Sequence, residues 1–169
     1  MGATSKMRYF DANFKRTKKG NAVYIKKFVK TRFQLDPYYP ELVQNEVKWL
    51  QKLKDFDRTP TVISYKKYSI IMNFLGFPVT RHTIPHNWRD QIEYILTSLK
   101  NFGCSHNDIK RHDVLVREGK LYLIDFQHAT RTRKEFEESH ISKKYMLLDD
   151  RTAFIFLFNK LVARKKKYG

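Results

Sequence analysis

The feature that most constrains the fold is a polar loop followed by two short apolar strands, within residues 105–125. The loop concentrates histidine, asparagine and aspartate, and it leads into an apolar strand predicted at residues 114–116. A turn at Gly119 returns the chain as a second apolar strand, residues 121–124, which ends at Asp125. A carboxylate next to a buried strand is costly unless it is solvated or paired with a cation. The pattern therefore predicts a cation site at the end of this strand.

The first half of the chain is predicted to contain several strands and one helix. Residues 22–29 are rich in β-branched and aromatic side chains, so they predict a strand that belongs to a hairpin around Gly20. Apolar residues at helical spacing predict an amphipathic helix over residues 41–54. Two more strands are expected at residues 61–65 and 68–74. No repeat and no low-complexity segment interrupts these elements.

The second half is predicted to add two helices to the loop and its strands. Residues 88–102 place apolar side chains on one stripe, and Gly103 supplies a C-terminal stop. Residues 152–162 are apolar enough for a buried helix. The chain has 169 residues, of which 41% are hydrophobic, and this is enough for one domain with a real core.

The cysteine content and the short apolar runs of the chain indicate its cellular compartment. The single cysteine, Cys104, cannot form an internal disulfide, and no Cys/His cluster has zinc-finger spacing. No apolar stretch approaches the ~20 residues that a membrane span needs, and the N-terminal residues do not resemble a signal peptide. We therefore expect a soluble protein of the cytoplasm.

Four segments, in the same order along the chain, resemble the motifs of the protein-kinase-like fold. Tyr24-Ile25-Lys26 resembles the strand motif that ends in the nucleotide-binding lysine, and residues 45–50 resemble the helix whose glutamate pairs with it. Residues 70–76 resemble the last small-lobe strand and the hinge. Residues 106–116 resemble the catalytic loop H-R-D-L-K-x-x-N, and residues 123–127 resemble the D-F-G segment.

This resemblance implies an α+β, bilobal fold with a truncated second lobe. Residues 1–75 would form the small, nucleotide-binding lobe, an antiparallel sheet with one helix, and residues 76–169 would form a reduced, mainly helical catalytic lobe. Only about forty residues follow Gln127, too few for the full helical set of a protein kinase. The chain therefore resembles atypical kinases: the small Rio and Bud32 types, lipopolysaccharide-core kinases and aminoglycoside phosphotransferases.

The resemblance also implies roles for residues of this chain. Lys26 would hold the α- and β-phosphates of ATP, and Glu46 would orient Lys26. Lys27 takes that place if the strand register differs by one residue, because neighbouring side chains point to opposite faces. Asp108 would accept or steer the proton of the acceptor hydroxyl, and Lys110 would neutralise charge on the moving phosphoryl group.

Metal and nucleotide contacts follow from the same resemblance. Asp125 is predicted to bind Mg²⁺, and Asp113 stands where the family usually has asparagine, so it offers a further carboxylate to Mg²⁺ or Mn²⁺. Asn73 and Leu75, in the hinge-like segment, are predicted to contact the nucleotide. His112 with Asp113 also matches the HD metal pair of a phosphohydrolase, but the other histidines lack supporting spacing.

Three departures from the kinase pattern bear on activity. No G-x-G-x-x-G loop precedes Lys26, since residues 14–20 contain one glycine, so lysine side chains are expected to hold the phosphates instead of backbone amides. Asn107 stands where many kinases have the arginine that binds an activation-loop phosphate, which predicts activity without that switch. Gln127 replaces the D-F-G glycine and reduces the backbone freedom of this segment.

The charge of the chain predicts polyanionic partners. Lysine and arginine number 34 against 17 aspartates and glutamates, which gives a net charge of +17. Basic residues concentrate in residues 1–33 and 160–167, and such surfaces attract phosphates, nucleotides, nucleic acid or anionic lipid headgroups. A solvated face that only maintains solubility is the alternative explanation. Because the second lobe is so small, we also expect a stabilising partner or self-association into a homo-oligomer.

We therefore predict an ATP- and Mg²⁺-dependent phosphotransferase, a minimal serine/threonine protein kinase with a protein acceptor. One alternative is a catalytically weak, pseudokinase-like module that binds nucleic acid or another anionic partner, which the net charge and the missing glycines favour. Another is a small-molecule or lipid-sugar kinase, which shares the site and differs in its acceptor. Asp108, Asp113 and Asp125 argue against a purely binding role, because these carboxylates would repel nucleic acid unless a metal ion were bound.

Overall fold

The computed structural model describes residues 10–16, 22–28, 39–139, 142 and 147–168. Within these residues, seven strands and four α-helices form two separate antiparallel sheets with helices packed against them. Most of the basic N-terminal segment lies outside the described residues, and so does Gly20, the predicted centre of the first hairpin.

The first sheet has four strands, each antiparallel to its neighbour. In space the order is β1 (Phe10–Arg16), β2 (Ala22–Phe28), β4 (Ser69–Asn73) and β3 (Val62–Lys66). Arg16 of β1 pairs with Ala22 of β2, which is the register of a hairpin. Lys26 lies opposite Ala12 on one side and Ile70 on the other, so β2 carries it in the middle of the sheet.

One helix, α1 (Tyr39–Lys52), packs against β3 and β4 of this sheet. Pro40 lies in its first turn, where the missing N–H of proline costs no helical hydrogen bond. Val43 and Leu50 are each 1% exposed, and Glu46 lies between them on the same buried face at helical spacing. The helix predicted over residues 41–54 is therefore present, and in the structure it begins and ends two residues earlier, at Tyr39 and Lys52.

The second sheet is a short three-stranded one. Its order is β5 (Phe77–Pro78), β6 (Val114–Arg117) and β7 (Lys120–Leu123), all antiparallel. Glu118 and Gly119 join β6 to β7 with φ angles of 51° and 75°, the left-handed pair that a tight hairpin turn requires. Gly76 precedes β5 with a φ of 112°, and a Cβ there would collide with the backbone carbonyl of Val116. Glycine at this position thus lets β5 lie close to β6.

Three helices complete the described fold: α2 (Trp88–Asn101), α3 (Arg133–Glu137) and α4 (Asp150–Tyr168). Trp88 of α2 stacks on Phe158 of α4, with ring centroids 5.0 Å apart, and joins these two helices in the core. The buried helix predicted at residues 152–162 is thus the central part of a longer one. None of the described helices is long and apolar enough to cross a membrane.

The short helix α3 has no counterpart among the predicted elements. Thr132 caps it by accepting a hydrogen bond from the Glu135 N–H, and Phe136 anchors it in the core at 2% exposure. Five residues are too few for a helical hydrophobic period to be recognised, so only the fold reveals it.

Candidate active site

A buried ion-pair cluster centres on Lys26 of β2. Its Nζ donates hydrogen bonds to Glu46 Oε2 at 2.6 Å and to Asp125 Oδ1 at 2.7 Å. A third hydrogen bond runs to the side-chain carbonyl of Gln127 at 3.2 Å. Lys26 is 1% exposed, and the two carboxylate residues are 0% and 6% exposed. A strand, helix α1 and the segment after β7 therefore meet at one ammonium group.

Burial and charge compete in this cluster. Burial would lower the pKa of Lys26, but the Asp125 and Glu46 carboxylates raise it above its ordinary value, so the ammonium stays charged. Burial acts to raise the pKa of Asp125, and the Lys26 charge outweighs it and lowers that pKa. Burial raises the pKa of Glu46; the Lys26 charge opposes this effect, and the Asp125 charge adds to it. Burial also raises the pKa of nearby Tyr24 to about 12.

Strand geometry decides which lysine faces the cluster. Lys26 is buried whereas Lys27 is exposed, because successive side chains of a strand point to opposite faces of the sheet. The alternative register, with Lys27 inward, is not the one that the protein adopts. Lys26 therefore faces the charged cluster and not the solvent.

Asp125 sits at the strand end in a strained backbone conformation. Its φ is 72°, in the left-handed region that costs energy for a residue with a Cβ. The following N–H, that of Phe126, donates to Glu46 Oε1 at 3.3 Å. The Phe126 ring is fully buried and meets His106 edge-on, with centroids 4.7 Å apart. These contacts hold the backbone so that the Asp125 carboxylate turns toward Lys26.

The polar loop of residues 105–113 positions Asp108, which is 5% exposed. The Lys110 ammonium lies 2.8 Å from Oδ1 and 2.9 Å from Oδ2 of Asp108, and it donates to Oδ2. Oδ1 is buried and accepts no well-directed hydrogen bond from the described residues. His106 Nε2 lies 2.9 Å from the Ile124 carbonyl, which can only accept, so Nδ1 is free to accept the Asp108 N–H at 3.3 Å. The loop is thereby tied to the chain that follows β7.

Asp113, at the end of the loop, is crowded by negative charge. Its Oδ2 accepts the Lys110 N–H at 2.9 Å, and its backbone carbonyl accepts the Ile124 N–H at 2.9 Å. Burial raises the pKa of Asp113 well above its usual range, and the charges of Asp125 and Asp108 add to this effect. A bound cation would relieve this repulsion.

The donor set fits a magnesium ion that is shared with a phosphate ligand. Among the described residues, no three metal-ligating side chains converge tightly enough to hold an ion by themselves. Mg²⁺ commonly takes only one or two carboxylates from a protein and completes its shell with water and phosphate oxygens. Asp113 and Asp125 offer this chemistry. His112 is exposed while Asp113 is buried, so the HD-pair alternative gains no support from their surroundings.

Asp150, in the first turn of α4, is a functional candidate that the sequence analysis missed. Its Oδ2 accepts the His106 N–H and its Oδ1 accepts the Asn107 N–H, both at 2.8 Å. Asn107 has a φ of 71°, and its amide donates to the carbonyls of Ser105 and His128. Since 43 residues separate Asp150 from Asn107, no local pattern marks the contact.

Asn45 is the second residue that the sequence analysis missed. Its side-chain amide donates to the backbone carbonyls of Gln127 at 2.9 Å and of Ala129 at 3.0 Å. The helix that supplies Glu46 to Lys26 thus also holds the segment after Asp125. Gln127, which stands where the D-F-G segment has glycine, contacts Lys26 through its side chain, and only the fold reveals this contact.

The two hinge-like residues lie at the end of β4 and just after it. Asn73 ends β4, and its Oδ1 accepts the Thr61 N–H at 2.7 Å, so its side chain fastens the chain before β3. Leu75 is half-buried in the connection from β4 to β5. In the charged cluster, Lys26 contacts both Glu46 and Asp125 directly.

The combination of this fold and this cluster corresponds to the protein-kinase-like class. A crystal structure of the Rio2 kinase-ADP/Mg2+-phosphoaspartate complex from Chaetomium thermophilum matches with a TM-score of 0.66 at 16% sequence identity. The match covers 94% of this chain and 54% of that one, so this chain spans about half the length of the Rio2 structure. At this identity the likeness shows the fold alone, and that fold is the bilobal protein-kinase-like one, here truncated.

A comparison of the sequence with family profiles identifies the family to which the chain belongs. The profile of the family described as RIO domain matches residues 5–161, which is most of the chain. The chain belongs to the RIO domain family. A search of curated proteins finds no significant match.

Proposed function

We propose that this chain is an ATP- and Mg²⁺-dependent phosphotransferase, a minimal serine/threonine protein kinase. The observation that carries the proposal is the buried cluster in which Lys26 contacts Glu46 and Asp125 at 2.6 and 2.7 Å. Membership of the RIO domain family, and likeness in fold to a Rio2 kinase with ADP and Mg2+, support the nucleotide and the metal. Phosphoryl transfer needs positioning and charge neutralisation more than covalent participation, and this cluster offers both.

Lys26 is proposed to hold the α- and β-phosphates of ATP, with Glu46 orienting it. A buried lysine that keeps its charge is a strong donor to phosphate oxygens, because the surrounding dielectric is low. Glu46 is fully buried and reaches both Lys26 and the Phe126 N–H, so it couples the lysine to the segment that contains Asp125.

Asp108 is proposed to accept or steer the proton of the acceptor hydroxyl. Its buried Oδ1 lacks a well-directed donor among the described residues, and a hydroxyl O–H is a donor of the right kind. Lys110, which contacts the same carboxylate and is largely exposed, would neutralise charge on the moving phosphoryl group.

Asp113 and Asp125 are proposed to bind Mg²⁺. When bound, Mg²⁺ neutralises phosphate charge and thereby makes the phosphoryl group easier to transfer. The residues of this chain hold the ion and orient the phosphates toward Asp108. Mn²⁺ is a second candidate ion, because the same oxygen ligands suit it.

We further propose that residues 73–75 contact the base of the nucleotide and separate a small lobe, residues 1–75, from a large lobe, residues 76–169. Asn73 ends β4 of the first sheet, and Leu75 lies in the connection from β4 to β5 of the second sheet. The Asn73 side chain accepts the Thr61 N–H and the Asn73 N–H donates to the Thr61 carbonyl at 3.2 Å, so the connection that follows Asn73 is the part that we propose contacts the base.

A carboxylate acceptor is the second candidate, favoured by the phosphoaspartate of the Rio2 complex. This chain buries Asp108, Asp113 and Asp125 close to the proposed phosphate site. Label on serine or threonine resists hydroxylamine, whereas an acyl phosphate on aspartate is cleaved by it. Hydroxylamine treatment of the labelled protein therefore separates the two acceptors.

The test of the proposed function uses γ-labelled ATP with Mg²⁺. Wild-type protein is expected to transfer label to itself or to a generic protein substrate, and Asp125→Ala and Asp108→Asn are expected to lower the rate by at least about 10²-fold. Asp90→Ala, on the exposed face of α2, is the matched control and should retain activity.

Binding is measured separately from transfer. Mg²⁺ with ADP should raise the melting temperature of the wild type and of Asp108→Asn, because a ligand of the folded state stabilises it, but not that of Asp125→Ala. A wild type that neither transfers label nor is stabilised by the nucleotide, or an Asp125→Ala variant indistinguishable from wild type, contradicts the proposal.

A further inference from the structure

We propose that Gln127 is a positioning residue that keeps the Lys26 ammonium aimed at the phosphates while Asp125 is engaged elsewhere. The inference rests on the proposed function and adds a residue to it. An ammonium has three N–H donors, and within the described part of the chain Lys26 donates to Glu46, Asp125 and Gln127, at 2.6, 2.7 and 3.2 Å.

The three acceptors differ in what they are free to do. Asp125 is a proposed metal ligand, so its position at Lys26 is the one that a phosphate oxygen can take. With Asp125 engaged by the metal, Glu46 and Gln127 remain as acceptors that hold the ammonium. The Gln127 carbonyl supplies a second fixed acceptor, and two anchors define the direction of the third N–H.

The neutral charge of Gln127 also matters. Lys26 already faces two buried carboxylates, and a third one would leave an excess of buried negative charge where phosphates must bind. An amide accepts the hydrogen bond without adding that charge. Glycine, the usual residue of the D-F-G segment, has no side chain with which to accept it.

Gln127 is held in place by hydrogen bonds to both its side chain and its backbone. Its side chain contacts Lys26, and its backbone carbonyl accepts from Asn45 at 2.9 Å. Asn45 precedes Glu46 on α1, so one turn of this helix holds both anchors of Lys26 in a fixed relation. The segment after Asp125 is therefore set in the orientation that presents Lys26, with no added phosphate needed to order it.

The experiment compares Gln127→Met with Gln51→Met. Methionine is close to glutamine in shape but has no carbonyl, and Gln51 lies on the exposed side of α1, so the second variant is the matched control. Gln127→Met is expected to raise the KM for ATP and the dissociation constant of Mg²⁺ with ADP about tenfold, as loss of one hydrogen bond predicts, with kcat within about threefold of wild type. A purely structural defect would instead reduce the fraction of active protein and leave the dissociation constant unchanged.

A second measurement follows the lysine without nucleotide. In nitrogen-detected NMR of the side-chain ammonium groups, Lys26 is expected to exchange its protons slowly in wild type and in Gln127→Glu, which retains an acceptor, and about tenfold faster in Gln127→Met. Gln127→Ser, with no acceptor within reach, serves as a second truncation if Gln127→Met does not fold.

The two readouts separate failure of this inference from failure of the proposed function. If wild type binds Mg²⁺ with ADP, an unchanged dissociation constant in Gln127→Met overturns the role of Gln127. If wild type binds no nucleotide, the proposed function fails, and the ammonium exchange alone decides whether Gln127 positions Lys26.

Discussion

The three buried aspartates of the site are in different electrostatic situations. Asp125 has Lys26 at 2.7 Å and Asp108 has Lys110 at 2.8 Å, whereas the Asp113 carboxylate accepts a backbone N–H at 2.9 Å and forms no ion pair among the described residues. The pKa of Asp125 is accordingly lowered, and that of Asp113 is raised by burial and by its two neighbours. Residues of one chemical type therefore carry different energetic costs within one site.

The raised pKa of Asp113 predicts a stabilising substitution. A carboxyl whose pKa is higher in the folded than in the unfolded protein destabilises the fold above the unfolded value of about 3.9, and the penalty grows until the folded value is passed. Asp113→Asn is therefore expected to raise the free energy of unfolding by about 1 to 2 kcal/mol at pH 7 without metal. The gain should shrink toward zero near pH 4. Urea unfolding across this range measures it.

The control is Asp90→Asn, an exposed aspartate whose substitution should change the free energy of unfolding by less than about 0.5 kcal/mol. Addition of Mg²⁺ and ADP should stabilise Asp113→Asn less than wild type, because one carboxylate ligand has lost its charge. An Asp113→Asn variant that is less stable than wild type at pH 7 would show that repulsion at Asp113 is not the dominant effect.

At the scale of secondary-structure elements, two adjacent aspartates at the start of α4 make different hydrogen bonds. Asp149 caps the helix by accepting from the Thr152 N–H at 3.0 Å and hydroxyl at 2.7 Å. Asp150 instead holds the polar loop through two N–H groups at 2.8 Å. The two residues thus form a matched pair for testing the loop contact.

Asp149→Ala is expected to cost about 1 kcal/mol, the usual value of a helix cap, with unchanged kcat. Asp150→Ala should cost more than about 2 kcal/mol, because two backbone N–H groups lose a charged acceptor. It should also lower kcat at least about tenfold by displacing Asp108. Thermal unfolding and labelled-ATP kinetics measure the two effects. Equal kcat values in the two variants would contradict a positioning role for Asp150.

A second contrast at this scale concerns the glycines that connect the strands. Gly76 has a φ of 112°, and an added Cβ would lie 2.8 Å from the Val116 carbonyl carbon. Gly119 has a φ of 75°, and nothing lies within 4 Å of an added Cβ. Gly119→Ala is expected to cost about 1 kcal/mol from backbone strain alone. Gly76→Ala should cost more than about 2 kcal/mol, since β5 must move away from β6. Similar melting temperatures for the two variants would argue against this close packing.

Over the whole molecule, the charge of +17 predicts binding that does not depend on the catalytic cluster. Lys26 is buried in ion pairs, so it is not accessible to a polyanion in solution. Lys27 and Lys160, in contrast, are exposed. Binding to DNA or heparin should be independent of sequence and fall at least about tenfold between 50 and 200 mM salt, because phosphate contacts release counterions. Fluorescence titration measures this, and Asp125→Ala should bind as wild type does. Salt-independent binding would contradict a diffuse electrostatic surface.

Much of the fold was predictable because its signals are local. The helical spacing of apolar residues predicted α1 and α2 to within about two residues. Runs of β-branched, aromatic and other apolar residues predicted the strands β2, β6 and β7. The protein-kinase-like fold that the resemblance predicted is confirmed by the RIO domain match and by the likeness to the Rio2 kinase structure. The short helix α3 was not predictable, since it depends on a Thr132 cap and on burial of Phe136.

The sequence by itself determined which elements form and the order in which chemical groups follow one another. Helical period, strand alternation and turn conformation depend on neighbours a few residues away, so they can be deduced from the chain alone. Apart from the Lys26–Glu46 pair, which the kinase-like resemblance implies, only the tertiary structure decided which groups meet. Asp125 reaches Lys26 across 99 residues, Gln127 across 101, and Asp150 reaches the loop across 43 and 44. These contacts depend on burial and on the packing of distant elements, which no local pattern contains.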